Sequence, residues 1–207
     1  MPLRDREDAP TVVVIDDDRA VREALEGLFA SVGLSVDLFD SVDAYLEAAP
    51  DERPGCLVVD VRLPGKSGLD FIEEEARAGN RRAIVFISGH ADIAMSVRAM
   101  KAGAIEFLTK PVREQELLDA VQRAIRHDRQ QRAEQKKIAE ARARYGLLTP
   151  RERAVMAQVV IGRLNRQIAE DIGITEATVK LHRGQIMRKM QVGSLIDLVR
   201  AADLLGD

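Results

Sequence analysis

Five short runs of mostly branched apolar residues, Thr11–Ile15, Leu34–Leu38, Leu57–Val59, Ala83–Ile87 and Ala104–Leu108, alternate with stretches of helical periodicity. Runs of that length predict strands, and their alternation with helices predicts right-handed crossovers and a parallel sheet buried on both faces. The expected fold class is α/β, a five-stranded doubly wound sheet. In such folds ligands bind beyond the carboxyl ends of the strands, beside the point where strand order reverses. Polar side chains that directly follow the strands are therefore the candidate site.

Those residues are Asp16, Asp17 and Asp18 after the first strand, Asp60 after the third, Ser88 after the fourth and Lys110 after the fifth. Clustered carboxylates repel unless a cation neutralises them, and oxygen ligands suit hard Mg2+. Beside such a metal one carboxylate can attack a phosphoryl group, and the resulting acyl phosphate needs positive charge and hydroxyl donors. Lys110 and Ser88 supply both. Taken singly, each residue also has a plain structural reading. An aspartate or Ser88 can cap a helix, and Lys110 can be a solvated charge.

Cys56, the single cysteine, heads an apolar run, which favours a small buried side chain, excludes a disulfide framework and points to the cytoplasm. The Met1–Pro10 segment is charged, which makes no secretory signal visible, and no apolar run approaches the ~18 residues of a membrane span. Residues 1–122 carry 14 Lys+Arg against 24 Asp+Glu, a net −10, whereas 123–146 carry 8 against 3, a net +5. Residues 147–207 carry 9 against 7, a net +2, so an acidic front precedes a basic rear.

From Glu114, Leu117, Leu118, Val121 and Ile125 keep one helical face, and no Pro or Gly interrupts the polar stretch that follows to Arg144. One helix is expected to run out of the first domain into a solvated linker. Thr149, Pro150 and Glu152 then read as N-cap, first helical residue and capping-box partner, opening a second, all-helical domain. The expected division is 1–125, 126–146 and 147–207.

Within the second domain Gly173-Ile174-Thr175 is a helix stop, an apolar staple and an N-cap, the tight turn of a helix-turn-helix. No acidic residue lies between Ala177 and Ile196, while Lys180, His182, Arg183, Arg188 and Lys189 do, which predicts attraction to nucleic-acid phosphates. A solvated basic face on a three-helix packing domain is the plainer reading.

Val-Ile-Asp-Asp-Asp at 14–18, Val-Asp-Val-Arg-Leu-Pro-Gly at 59–65 with Ser67-Gly68, Ser88-Gly-His, Ala102-Gly-Ala, Phe107 and Lys110-Pro together resemble the receiver domain of bacterial response regulators, a flavodoxin-like or CheY-like fold, over about residues 11–125. The resemblance implies Asp60 as phosphoacceptor, with Asp16, Asp17, Asp60 and the backbone carbonyl of Arg62 as Mg2+ ligands. It leaves Asp18 as a helix cap. It also implies Ser88 and Phe107 as a switch pair, Lys110 as the phosphoryl's counter-ion, a changing face near residues 92–108, and a cis Lys110-Pro111 bond.

Leu-Thr-Pro-Arg-Glu-Arg at 148–153, Asn-Arg-Gln-Ile-Ala-Glu at 165–170, Ile-Thr-Glu-Ala-Thr-Val-Lys at 174–180 and His182-Arg resemble the LuxR-type DNA-binding domain over about 147–205. A receiver followed by this domain resembles the NarL and FixJ family of two-component transcription regulators. That layout implies Lys180, Leu181, Arg183 and Gly184 toward the major groove, and Asn165, Arg166 and Thr178 at the backbone. His182, Arg188 and Lys189 join the expected DNA contacts by charge. Leu195, Leu198, Val199 and Ala202 are expected to support dimerisation. Glycine at 184 departs from the polar or basic residue usual there and costs the helix about 1 kcal/mol relative to Ala. It permits close approach of a sugar or a thymine methyl.

The implied partners are a sensor histidine kinase, double-stranded promoter DNA, RNA polymerase and a second copy of the chain, with no membrane. The only chemistry expected of the chain is its own phosphotransfer and autodephosphorylation. Two other classes compete. Asp16 and Asp18 have the Asp-x-Asp spacing of haloacid-dehalogenase phosphatases, but Ala20 stands where that motif has Thr or Val. A phosphorylation-independent interaction protein would keep the acidic pocket only as structure.

Overall fold

The computed structural model describes residues 9–48, 53–80, 82–89 and 93–206. His90 and Asp92, and most of the charged Met1–Pro10 segment, lie outside them. The chain divides into two compact units, Met1–Arg132 and Ala133–Asp207.

In the first unit β1 (Thr11–Ile15), β2 (Ser35–Phe39), β3 (Gly55–Asp60), β4 (Ile84–Ser88) and β5 (Glu106–Thr109) form one parallel sheet in the order β2-β1-β3-β4-β5. The helices are α1 (Arg19–Ser31), α2 (Val42–Glu47), α3 (Gly68–Ala78), α4 (Ile93–Lys101) and the first part of α5 (Glu114–Gly146), whose residues from Ala133 on belong to the second unit. Alternate residues of one strand serve opposite faces. Val13, Ile15, Val59 and Phe86 pack with Tyr45 of α2, Phe71 and Ile72 of α3 and Ala99 of α4. Val12, Val14, Val58 and Ile87 pack with Phe29 of α1 and with Leu117, Val121 and Ile125 of α5. Both faces are covered, which is why these strands read as unbroken apolar runs.

The fifth strand begins two residues later than its apolar run. Gly103 turns with φ +98° and Ala104 donates its N–H to the carbonyl of Ala99, closing α4 before the chain can pair with β4. Strand order reverses between β1 and β3, so the carboxyl ends of these strands and their neighbours converge on one crevice.

Helix α5 runs for 33 residues. Its Asp128, 4% exposed, accepts the N–H of Gly55 at 2.9 Å and the Nε–H of Arg132 at 2.7 Å, which ties the start of β3 to the helix. Cys56 is buried, and that burial pushes its thiol up to about 12, removing it from thiolate chemistry. Among the described residues no helix is long and apolar enough to cross a membrane.

The second unit holds α6 (Pro150–Val160), α7 (Asn165–Ile172), α8 (Glu176–Met190) and α9 (Leu195–Asp203). Thr149 and Glu152 close the expected capping box. Gly173 ends α7 in the left-handed region at φ +69°, and Thr175 caps α8 by accepting the N–H of Thr178 at 3.2 Å. Val155, Met156, Val159, Ile168, Val179, Ile186, Met190 and Leu198 form the core. Leu198, expected on a dimerisation face, is 2% exposed in that core, and Ala202 packs against it. Leu198 thereby holds α9 to its own domain, Ala202 is half-buried at the edge of that core, and Leu195, 43% exposed, and half-buried Val199 lie outside it.

Candidate functional sites: the strand-end pocket and the basic helix

Asp16 is fully buried at the end of β1, and Asp60 is 7% exposed at the end of β3. Oxygen atoms of Asp16, Asp17 and Asp60 all lie within 4.8 Å of one another. Local hydrogen bonds orient each group. Asp16 Oδ1 accepts the N–H of Asp18 at 3.0 Å, its backbone carbonyl accepts from Arg22 Nη1 at 2.5 Å, and Asp60 Oδ1 accepts the N–H of Arg62 at 2.9 Å. The Arg62 peptide therefore sits against the phosphoacceptor candidate. Asp18, as expected, caps α1 by accepting the N–H of Ala20 at 2.8 Å.

Lys110 completes the pocket from the far strand. Its Nζ donates to Asp16 Oδ2 at 2.7 Å and to Asp60 Oδ2 at 2.5 Å. Its own N–H donates to the Ser88 carbonyl at 2.8 Å, and the following Lys110-Pro111 bond is cis. Burial works to lower the Lys110 pKa, but its hydrogen bonds to Asp16 and Asp60 outweigh this and hold it above its ordinary value. Burial raises Asp16, and the Lys110 hydrogen bond only partly offsets that. Three carboxylates facing one ammonium leave a net negative, oxygen-lined site, and this donor set fits a hard divalent cation.

Ser88 is fully buried at the end of β4. Phe107, two residues before the end of β5, is half-buried, with its ring 6.3 Å from that of Phe86 and tilted by 44°. The close approach at Gly68 was not read from the residues. A Cβ there would stand 2.5 Å from the Asp60 carbonyl oxygen and 2.9 Å from Val59 Cγ1, so the start of α3 is pressed against the strand that carries Asp60. The glycine beside Ser67 was the available signal.

On α8, Lys180, Leu181, Gly184 and Arg188 are exposed, Leu181 by 61%. His182, Arg183 and Thr178 are half-buried, and Arg183 Nη1 donates to Asn165 Oδ1 at 2.9 Å, joining α8 to the start of α7. Arg166 is exposed and pairs with Glu170 at 3.2 Å. Lys189, also expected among the DNA contacts, is half-buried and engaged within its own domain. Its Nζ lies 2.6 Å from Oε2 of Glu152, which is 2% exposed and also accepts the Thr149 N–H at 2.7 Å. The Lys189 ammonium, with its backbone cap partner, holds the Glu152 carboxyl below its ordinary range.

The profile of the response regulator receiver domain matches residues 12–122, and that of the bacterial regulatory proteins of the luxR family matches residues 146–202. Nodulation protein W of Bradyrhizobium diazoefficiens is 48% identical over 195 residues, covering 94% of this chain and 86% of the relative. The transcriptional regulatory protein FixJ of Azorhizobium caulinodans is 40% identical, covering 94% and 92%. Among solved structures, the response regulator StyR superposes with a TM-score of 0.84 at 44% identity, covering 94% of this chain and 98% of the other. Acidic strand-end pocket, helix-turn-helix and relatives agree, and the chain belongs to the NarL/FixJ-type response regulators, transcription regulators with a receiver and a LuxR-type DNA-binding domain.

Proposed function

We propose that Asp60 accepts a phosphoryl group from a phosphohistidine of a sensor kinase and that this event switches promoter binding by the second domain. The observation that carries the reading is Lys110 Nζ bridging Asp16 and Asp60, because it sets a fixed cation beside the carboxylate best placed for attack.

An Asp60 oxygen forms the O–P bond as the N–P bond of the donor breaks, and the bonding electron pair returns to the imidazole nitrogen. Lys110, freed from Asp60 Oδ2, pairs with a phosphoryl oxygen, and the Arg62 N–H holds the second carboxylate oxygen in place. Ser88 donates its hydroxyl to the phosphoryl group and moves toward it, and half-buried Phe107 turns inward behind it. Mg2+, held by Asp16, Asp17, Asp60 and the Arg62 carbonyl, would neutralise the carboxylates and the incoming oxygens.

The two receivers of a dimer then bring two recognition helices to half-sites about one DNA turn apart, where RNA polymerase is the downstream partner. Leu195 and Val199, on the outer side of α9, remain for contact between the DNA-binding domains. The chain acts in the cytoplasm and turns over no substrate beyond its own phosphoryl group. Incubation with acetyl phosphate and Mg2+ should add one acid-stable, base-labile phosphoryl group by intact mass, and Asp60→Asn should abolish it. Equal labelling of Asp60→Asn would reject the assignment.

A further inference from the structure

We propose that Gly184 is a specificity determinant: an open notch at the centre of the recognition face of α8 that takes the C5-methyl of a thymine. This inference rests on the DNA-binding reading above and extends it to one base-pair feature.

The fold does not require glycine at 184. Its backbone does not occupy the left-handed region, and a Cβ built there meets no atom within 4 Å. A glycine inside a helix is disfavoured relative to alanine because it loses more conformational freedom on ordering. The unfilled space therefore brings no benefit within the chain, and its benefit lies with whatever faces the helix.

The neighbours define what that is. At helical spacing Ala177, Lys180, Leu181, Gly184 and Arg188 share one face, and all five are exposed. Ala177 and Leu181 give the notch apolar walls, while Lys180 and Arg188 put a cation on either side of it. On major-groove base edges the thymine C5-methyl is the apolar group, and the other features are hydrogen-bond donors and acceptors. A floor without a side chain, apolar walls and flanking cations suit that methyl between two phosphate contacts. A polar side chain at 184 would select a donor or acceptor instead.

The test uses the full chain phosphorylated with acetyl phosphate. Operators are enriched from a random double-stranded pool, then each thymine is replaced in turn by deoxyuridine, which lacks only the methyl. One thymine per half-site should lose about fourfold in affinity on replacement, the worth of one buried methyl group. Gly184→Ala should raise the unfolding midpoint of the second domain yet bind the enriched operator at least about tenfold more weakly, as expected for overfilling a fitted contact. It should be indifferent to deoxyuridine at the same position. The notch is overturned if Gly184→Ala retains the operator affinity and sequence preference of the wild type, or if no deoxyuridine substitution matters. If the phosphorylated wild type enriches no sequence at all, the DNA-binding reading fails, and the notch with it.

Discussion

Glu152 offers the sharpest test of how the DNA-binding unit is held together. It is 2% exposed, accepts from Lys189 Nζ at 2.6 Å and from the Thr149 N–H at 2.7 Å, and donates its own N–H to Thr149 Oγ1 at 3.2 Å. Glu152→Ala removes the reciprocal half of a capping box, worth about 1 kcal/mol. It also leaves the Lys189 ammonium without its carboxylate. Losing one partner of a fully buried pair costs about 3–5 kcal/mol. The Lys189 side chain is 28% exposed and can turn to water, so about 1–2 kcal/mol of that is expected here. The total is about 2–3 kcal/mol.

Lys189→Ala strands the carboxylate instead, the more buried partner, and should cost at least as much. The double variant should be less destabilised than the sum of the singles by about 1 kcal/mol or more. Urea unfolding, with hydrogen exchange read on peptides from 147–206 of the full chain, measures all three. The pH dependence has a definite sign. Because the folded Glu152 pKa lies below its ordinary 4.5, the contribution is present above that value and is lost as pH falls through the lower folded one. Lys189→Ala should reduce this stability margin above pH 4.5. Single variants each within about 0.5 kcal/mol of wild type, with additive effects, would refute the reasoning.

Two further outcomes follow from the geometry. Gly68→Ala should destabilise the receiver by about 1–3 kcal/mol and slow phosphorylation of Asp60, because the new Cβ would meet the Asp60 carbonyl oxygen at 2.5 Å; unaltered urea midpoint and labelling rate would contradict this. Lys180→Ala and Arg188→Ala should each lower the slope of log affinity for DNA against log salt by about 1, whereas Lys189→Ala, measured where it is folded, should leave the slope unchanged.

The receiver pocket was legible in the sequence because topology does the locating. Once five apolar runs are strands of one parallel sheet, Asp16, Asp60, Ser88 and Lys110 must converge, however far apart they are in the chain. Local chemistry likewise marked the caps at Asp18, Thr149 and Thr175. What escaped depends on tertiary partners. Lys189 reads as one more cation of a basic helix until Glu152, 37 residues earlier, is seen to hold it. Helical periodicity places Leu195, Leu198 and Val199 near one another but does not say that the domain's own core takes Leu198. The start of β5 was misplaced because an apolar run does not reveal that its first residue, Ala104, is held to the end of α4 beyond the Gly103 turn. The demand for glycine at 68 is invisible without the backbone of β3 against it.

The central claim is that one phosphoryl group on Asp60 controls DNA binding. Its most direct test is the affinity of the full chain for an enriched operator, with and without acetyl phosphate and Mg2+, for the wild type and Asp60→Asn at fixed salt. The account predicts that the wild type alone gains affinity, by about tenfold or more, in step with dimer formation. Equal affinity in all four samples, or an equal gain by Asp60→Asn, would contradict it.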